Sequence, residues 1–408
     1  MGGRADPAAA SRVDLHEPPP SEWDDLAVPA GWEPIAEVAV EVASDLDPLV
    51  ARITDCIAAE IPAYRAGTVP LDDLRASVDR NLAALLVGLA EHRGPTADEV
   101  AVRRELGVRR ALQGVPVDAL IQAYHVGYRE VWQALVEAVA DHDPQTSVQL
   151  LGAATTVWRW VHEVTDALAA AHAATTRSLE ARAIGARQRF VELLAAGDLD
   201  GDEVSALARS LGFDADGTYR VVVLRAGSGD LDAVSLQHEV DTIAGQQAAV
   251  ARGTLVVVVS QDGDTAAVLA ACRTVLPDAT LAIGAERPGL RGARASLEDA
   301  EQTLLVTDER GTARFEDAWL WATLTDRRER LRPLLTVGAE IAASHPHLAE
   351  AVRAFADGGF SVSAAARRLG LHANTVAYRL DRWESLTGWD PRSFPGLARS
   401  LASLRLPT

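Results

Sequence analysis

The spacing of apolar residues changes twice along this chain, and this change constrains the fold more than any other feature of the sequence. From about residue 35 to residue 211 apolar side chains recur at helical spacing, as in VDALIQAYHVGYREVWQALVEAV, and no convincing strand is found. Three β-rich runs follow, TYRVVVLRA, GTLVVVVS and ATLAIGAE, with helical stretches near 231–250 and 264–275. After Phe315 the pattern is helical again. We therefore predict a multidomain protein that combines all-α domains with an α/β or α+β domain.

A chain of 408 residues is too long for one hydrophobic core, so several domains are expected. The N-terminal residues are rich in Pro, Asp and Ala and lack periodicity, which is typical of a disordered tail. The predicted order is a disordered tail (1–34), a helical domain of about six helices (35–174), connecting helices (175–211), an α/β domain (212–312) and an all-helical domain (313–408) that contains a helix-turn-helix (361–388).

The connecting segment from Thr175 to Ala196 has a pattern of its own. Its apolar side chains alternate spacings of four and three residues, as in a coiled-coil seam of about two heptads: Leu179, Ala183, Ala186, Phe190 and Leu193. In such a seam between two copies of the chain, Phe190 would be the largest side chain. Two heptads are few and alanine packs weakly, so a helix that lies on its own domain is an equally open interpretation.

Composition excludes several classes of function. The formal net charge is −19 and there is no lysine, so the phosphate-binding motif G-x-x-x-x-G-K-[ST] is impossible. Cys56 and Cys272 are the only cysteines, which argues against a disulfide framework or a thiolate metal site. His345 and His347 flank a proline without nearby carboxylates, which is weak evidence for a metal site. We therefore expect a protein that is not an enzyme and that binds neither a cofactor nor a metal.

The sequence also indicates where the protein works. The N-terminal residues MGGRADPAAASRVDLHEPPP lack the apolar core of a signal peptide. The longest apolar runs, such as TLVVVVS, are too short to span a bilayer. We expect a soluble cytoplasmic protein that does not bind membranes.

The stretch AAARRLGLHANTVAYRLDRWESLTG, residues 364–388, gathers arginines in an acidic chain and predicts two helices joined by a tight turn. Ser361 or Ser363 would cap a helix that ends near Leu369, and Gly370 would make the turn. The second helix would then begin near Asn374. At 100° per residue its apolar side chains form one arc, which would pack against the first helix and the turn: Val376, Leu380 and Trp383 against Ala365, Leu369 and Leu371.

The opposite arc carries the chemistry that DNA recognition needs. It holds an amide, a hydroxyl, a phenol and two guanidinium groups, on Asn374, Thr375, Tyr378, Arg379 and Arg382. Arginine can bind guanine bidentately, asparagine can pair with adenine, and hydroxyl groups can bind phosphate. Residues 361–408 contain seven arginines and three acidic residues, a net charge of +4, so the rest of the chain carries −23. The candidate DNA-contacting residues are His372, Asn374, Thr375, Tyr378, Arg379, Arg382, Arg367 and Arg368. The alternative is an ordinary amphipathic helix with solvated arginines.

The sequence AARRLGLHANTVAYRLDRWESLTGWD resembles the C-terminal helix-turn-helix of the PucR family of bacterial transcriptional regulators, also called the CdaR type. The matching positions are Leu369, Gly370, Leu371, His372, Asn374, Thr375, Tyr378, Arg379, Leu380, Leu386, Thr387 and Gly388. Ala373 departs from the pattern, because family members often carry arginine or another polar residue there. The resemblance implies a DNA-binding C-terminal domain in which one contact differs.

Two further segments are similar to domains that accompany this helix-turn-helix. TLAIGAERPGLRGARASLEDAEQTL is similar to a GGDEF-like domain, but residues 217–308 lack the G-G-D/E-E-F signature and its metal-binding acids, which implies a degenerate domain without cyclase activity. EIPAYR and VRRALQGVPVDALIQAYHVGYREVW look like the RsbT co-antagonist (RsbR) N-terminal sensory domain. That resemblance implies a globin-like helical bundle that dimerises and relays a signal.

These observations favour a one-component transcription regulator that binds double-stranded DNA as a homo-oligomer, either a dimer or a tetramer. The N-terminal domain would sense an unknown signal, which could be a small-molecule effector. The alternative is a signalling scaffold that binds a partner protein through the RsbR-like domain and lacks functional DNA binding. A third interpretation, an active nucleotide cyclase, fails because the signature motif is missing.

Overall fold

The computed structural model describes residues 32–140, 142–199, 201–227 and 231–406, and most of the predicted tail lies outside them. The described residues form 17 helices and six strands. The described part of the chain forms two compact units, which meet between Ala181 and Arg182 of the sequence. No helix in these described ranges is both long enough and apolar enough to cross a membrane.

The first unit is entirely helical, as the sequence predicts. Its helices are α1 (Glu33–Ser44), α2 (Asp47–Glu60), the short α3 (Pro62–Arg65), α4 (Leu71–Ala90), α5 (Ala97–Leu112), α6 (Val117–Val139) and the first part of α7 (Pro144–Ala196). The predicted tail is too long by three residues, because Trp32 is buried and its indole N–H donates a hydrogen bond of 3.0 Å to the Leu89 carbonyl oxygen. Trp32, the first described residue, is therefore already part of the bundle.

The core of this unit follows from helical periodicity. The face predicted for α6 is buried at Leu120, Tyr124, Val131, Leu135 and Val139, and Tyr128 is half-buried. Helix α7 is continuous over 53 residues, so the predicted connecting helix at Thr175–Ala196 is its C-terminal part. From residue 173 to residue 189, all of which the structure describes, no side chain of α7 is buried.

The central part of the second unit is a small mixed sheet covered by helices. Its elements are α8 (Asp202–Ser210), β1 (Thr218–Arg225), α9 (Ala233–Val240), β2 (Gln246–Arg252), β3 (Leu255–Gln261), α10 (Thr265–Val275), β4 (Thr280–Ile283), β5 (Arg287–Pro288), α11 (Gly289–Leu304) and β6 (Thr312–Arg314). The strand order is β2-β3-β1-β4-β6, and β5 pairs with β1. All described pairs are antiparallel except β4 with β6. The domain is therefore α+β.

Both faces of this sheet are buried, which explains the continuous apolar runs in its strands. Val221 and Val223 of β1 pack on one side with Leu297 of α11. Val222 and Leu224 face the other side, in a second core that contains Leu236 of α9 and Cys272 of α10. The alternation of side chains along a strand thus supplies two separate cores.

One secondary-structure prediction in this domain is wrong. The helix predicted near 231–250 ends at Val240, and Gln246–Arg252 is strand β2. Alanine and glutamine in QQAAVAR favour a helix locally. The segment nevertheless pairs along its whole length with β3, and Gly253 makes the hairpin turn at φ +61°. Pairing with a neighbouring strand therefore outweighs local helix propensity.

The predicted coiled-coil seam is also wrong at its C-terminal end. Phe190 is wholly buried, and its ring stacks on Phe213 with centroids 5.4 Å apart. Leu193 is buried in the same core as Val221 and Val223. Phe190 and Leu193 therefore belong to the interior of the central domain. This agrees with the alternative interpretation, in which the helix packs on its own domain.

The remainder of the second unit is helical, as predicted. It contains α12 (Phe315–Asp326), α13 (Arg328–Ser344), α14 (Pro346–Asp357), α15 (Val362–Leu369), α16 (Ala373–Thr387) and α17 (Phe394–Arg405). Its main core includes Leu348, Val352 and Phe355 of α14 and Ala365 of α15, with three residues of α16. Helices α15 and α16 are the predicted helix-turn-helix.

The different surroundings of Phe190 and Leu179 on the same helix make a testable contrast. Phe190→Ala should lower the free energy of unfolding by about 3–5 kcal/mol, because it leaves a cavity beside Phe213. Leu179 is 37% exposed, so Leu179→Ala should change stability by less than about 0.5 kcal/mol in a monomer. Urea unfolding of both variants measures the difference. Equal stability of the two variants would contradict the burial of Phe190.

Candidate nucleic-acid interface

Helix α15 and the turn after it are formed by local chemistry. Of the two candidate caps, Ser361 is the N-cap, and its hydroxyl oxygen accepts a hydrogen bond of 3.3 Å from the Ala364 N–H. Gly370 ends the helix at φ +64°, ψ +33°. A Cβ at Gly370 would meet no atom within 4 Å, so the turn requires glycine for its backbone conformation and not for space.

Helix α16 is held by the apolar arc that the sequence predicts. Val376, Leu380 and Trp383 are each wholly buried and pack in one core with Ala365. The Trp383 indole N–H donates a hydrogen bond of 2.8 Å to the Ser400 hydroxyl of α17. Leu369 and Leu371 pack against the same core while partly buried. The rotation of α16 about its axis is therefore set by its buried face.

The opposite arc of α16 faces outwards. Asn374 and Thr375, in the first turn, are exposed, and Tyr378 is 66% exposed one turn later. Arg382 is exposed and forms no hydrogen bond or ion pair with the residues that the structure describes. These four side chains span about 100° of the helix surface. An amide, two hydroxyl groups and an unpaired guanidinium are thus available on one side.

Arg379 differs from the other predicted contacts. It is half-buried, and its Nη1 donates a hydrogen bond of 3.3 Å to the His347 carbonyl oxygen of α14. Its position lies about 140° from Asn374, at the edge of the exposed arc. Arg379 therefore bonds to α14 and lies at the edge of the exposed arc.

The remaining candidates lie before α16. Arg367 is exposed and has no hydrogen bond or ion pair to any described residue. Arg368 is also exposed and lies 3.4 Å from the Asp357 carboxylate. Both partners of that ion pair are exposed, so it contributes little to stability and leaves Arg368 available. His372 is the exposed N-cap of α16, and its side chain makes no capping bond.

Arg392 is a further residue of this surface that the sequence analysis did not identify. Its Nη1 lies 2.8 Å from the Asp381 carboxylate, and its Nη2 donates a hydrogen bond of 3.2 Å to the Ala377 carbonyl oxygen. Arg392 thereby offsets a negative charge on α16 and connects that helix to the segment before α17. The contact joins residues more than ten positions apart, and the helical pattern of α16 gives no sign of it.

The weak metal hypothesis gains no geometric support. The rings of His345 and His347 have centroids 6.1 Å apart. Within the described ranges no group of three or more His, Cys, Asp or Glu side chains could hold a metal ion.

Three segments of the chain match known domain families. Residues 47–187 match the RsbT co-antagonist protein rsbRD N-terminal domain. Residues 196–306 match the GGDEF-like domain, and residues 348–406 match the PucR C-terminal helix-turn-helix domain. The three matches, in this order, confirm the resemblance to PucR/CdaR-type regulators.

A solved structure, the regulator of polyketide synthase expression from Bifidobacterium adolescentis, is 20% identical to this chain. The similarity covers 54% of this chain and 96% of that one, with a TM-score of 0.32. No curated protein matches the chain.

The two aromatic side chains of α16 should respond differently to removal. Trp383→Ala should lower the free energy of unfolding by about 3–5 kcal/mol, because a buried indole is lost and the Ser400 hydroxyl loses a donor. Tyr378→Ala, at an exposed position of the same helix, should change it by less than about 0.5 kcal/mol. Thermal or chemical unfolding monitors both variants. An unchanged melting temperature for Trp383→Ala would show that the indole is not part of the core.

Proposed function

We propose that this chain, whose domains follow the PucR/CdaR order, is a sequence-specific transcription regulator that binds double-stranded DNA through α16. The observation that carries the proposal is the outward-facing arc of Asn374, Thr375, Tyr378 and Arg382 on a helix whose opposite face is wholly buried. A helix held in this way after a short turn is the element that enters the major groove in helix-turn-helix proteins.

Each exposed side chain has a proposed role. Arg382 reads guanine through O6 and N7, and Asn374 pairs with adenine. Thr375 and Tyr378 bind phosphate oxygens and fix the register of the helix. Arg379, at the edge of the arc, binds the DNA backbone. Arg367, Arg368 and His372 extend the contact along the phosphates on the side of α15.

Charge supports contact through this surface alone. Residues 361–408 carry a net charge of +4, and the rest of the chain carries −23. The acidic remainder repels DNA, which limits non-specific binding elsewhere. The unpaired guanidinium groups of Arg367 and Arg382 lose no described internal ion pair when they bind phosphate or base.

We further propose that the active form is a homodimer or a higher oligomer in the cytoplasm. One helix reads only a few base pairs, so useful specificity needs two half-sites. The exposed stretch of α7 at residues 173–189, which keeps Leu179, Ala183 and Ala186 of the predicted seam, is available for pairing between copies. The N-terminal bundle would sense the signal that regulates DNA binding.

The GGDEF-like domain acts in this proposal as a spacer or a dimerisation unit. Its sequence lacks the G-G-D/E-E-F signature and the acids that bind metal for cyclisation. The purified protein should neither convert GTP to a cyclic dinucleotide nor hydrolyse one. Chromatographic analysis of nucleotides after incubation with Mg²⁺ measures this. Turnover that is abolished by a substitution at Gly284 would overturn the proposal for this domain.

The DNA-binding proposal predicts a specific loss in Arg382→Ala. This variant should lose about 1–3 kcal/mol of binding to its operator and should relax preference at one base pair. Arg379→Ala should weaken binding to all DNA sequences about equally. It should also reduce the slope of log affinity against log salt concentration by about one. Gel shifts over a salt series, on DNA selected by the purified protein from its source genome, provide the measurement.

Arg209→Ala is the matched control, because Arg209 is an exposed arginine of α8 in the central domain. It removes the same charge and should leave affinity and salt slope unchanged. If wild type shows no steep loss of affinity with salt, or if Arg382→Ala binds as wild type does, α16 is not the reading helix. The first of these outcomes would favour the signalling scaffold.

A further inference from the structure

The N-terminal bundle contains a cavity that the proposed DNA-binding function does not use. Its volume is about 50 Å³, and its walls come from α2, α3, α4, α5 and α6. Most of the lining is aliphatic, including Ile53, Leu82 and Leu120. Tyr64, Asn81, Tyr124, Tyr128 and Arg110 add polar groups to the wall. The cavity thus has an apolar body and a polar part.

The residues on and next to the polar wall of the cavity include more arginines than carboxylates. Arg110 is 1% exposed and is neutralised by Asp73, and it also contacts the Gln113 side-chain oxygen at 2.8 Å. Asp73 already has a second cationic neighbour, because the Arg109 guanidinium lies 3.7 Å from it. Arg103 is 2% exposed and forms no ion pair with any described residue. A buried guanidinium without a counter-charge is costly, so it calls for an anion.

Arg103 is also short of hydrogen bonds. Among the described residues its Nε has no hydrogen-bond partner, and its side chain makes one hydrogen bond, a long one of 3.5 Å from Nη2 to the Arg80 carbonyl oxygen. Arg80 immediately precedes Asn81 of the cavity wall. Arg103 also lies one turn before Leu106 and two turns before Arg110, which line the cavity from the same helix. Arg103 does not itself line the cavity, but its helix and its hydrogen-bond acceptor adjoin residues of the polar wall.

The phenols of the wall lie within the field of that charge. Burial raises the pKa of Tyr124 to about 12, and the positive charge of Arg103 opposes this rise. Burial likewise raises the pKa of Tyr128 well above its usual value, against the same charge. Both phenols are thus neutral hydrogen-bond donors near neutral pH. The Tyr124 hydroxyl accepts a hydrogen bond of 3.1 Å from the Asn81 amide and donates a longer one, of 3.4 Å, to the Asn81 side-chain oxygen.

The size of the cavity sets the size of a ligand. A water molecule needs roughly 10–15 Å³ of such volume, so the cavity has room for about four non-hydrogen atoms. Gly127 of α6 helps to keep this space open, because a Cβ there would meet only Ile53 within 4 Å, at 3.9 Å. A glycine inside a helix is destabilising relative to alanine.

We propose that this cavity is a binding site for a short-chain monocarboxylate of about the size of acetate. The carboxylate would lie toward Arg103 and the hydroxyl groups of Tyr124 and Tyr128, and the methyl group would lie among the aliphatic side chains. The inference rests on the proposed function in one respect, namely that this ligand would be the signal sensed by the bundle. Binding itself can be measured without DNA.

The test is a titration of the full-length protein with acetate, followed by saturation-transfer NMR and by the melting temperature. Ionic strength is held constant with sodium chloride. A four-atom ligand cannot bind much more tightly than a dissociation constant of about 50 µM, so the series should run from about 10 µM to 50 mM. Wild type should give saturable binding of acetate. Acetamide, which has the same shape without the charge, should bind at least about tenfold more weakly.

Arg103→Met separates a binding role from a structural one. It should weaken acetate binding at least about tenfold. The melting temperature without ligand should stay equal or rise, because an uncompensated buried charge is removed. Arg104→Met, at the exposed neighbouring position, should behave as wild type. Gly127→Ala should raise the melting temperature and weaken acetate by narrowing the cavity.

Several outcomes would overturn the inference: no saturable binding by wild type, equal binding of acetate and acetamide, or unchanged acetate affinity in Arg103→Met. A large drop in melting temperature for Arg103→Met without any acetate effect would assign Arg103 a structural role. Normal operator binding without acetate binding would refute this inference and leave the proposed function intact. Acetate binding by a protein that binds no DNA would support this inference and refute the proposed function.

Discussion

The burial of one face of α16 determines what the C-terminal domain can present to a partner. Val376, Leu380 and Trp383 are wholly buried, and the indole of Trp383 is tied by its hydrogen bond to Ser400. A shift of one residue would turn the helix by about 100° and would bring polar side chains into the core. The packing therefore turns the candidate DNA-reading arc of α16 outwards without any DNA present. Specific recognition then needs little ordering of the helix itself, which lowers the entropic cost of binding.

The parts of the fold that could be predicted from the sequence are those fixed by short-range rules. The turn at Gly370, a serine N-cap at 361 or 363 and the apolar arc of α16 act within a few residues of one another, and the structure agrees with each, with Ser361 as the cap. The errors concern contacts between distant segments. Strand β2 has the composition of a helix and is a strand because β3 pairs with it. Phe190 fits a seam by spacing, but Phe213 and the sheet bury it. The hydrogen bond of Arg379 to the His347 carbonyl is equally invisible in the sequence.

Arginine side chains lie in opposite environments in the helix-turn-helix and in the N-terminal bundle. On α15 and α16 the guanidinium groups of Arg367 and Arg382 are exposed, where hydration makes an unpaired charge inexpensive. In the bundle, Arg103 and Arg110 are almost wholly buried, where an unpaired charge is expensive. Arg110 has a carboxylate partner, and Arg103 has none among the described residues. The same side chain thus suggests a polyanion at the surface and a small anion in the interior.

Helix α7 has different surroundings along its length. In its first half, Trp160, Val164 and Leu168 are buried in the core of the bundle. Near its end, Phe190 and Leu194 are buried in the core of the central domain. Between them, residues 173–189 are exposed or half-buried. One helix thus contributes side chains to two separate cores. Coupling between a ligand in the bundle and the DNA-reading end would therefore require two arrangements of this helix, each favoured by one of the two ligands.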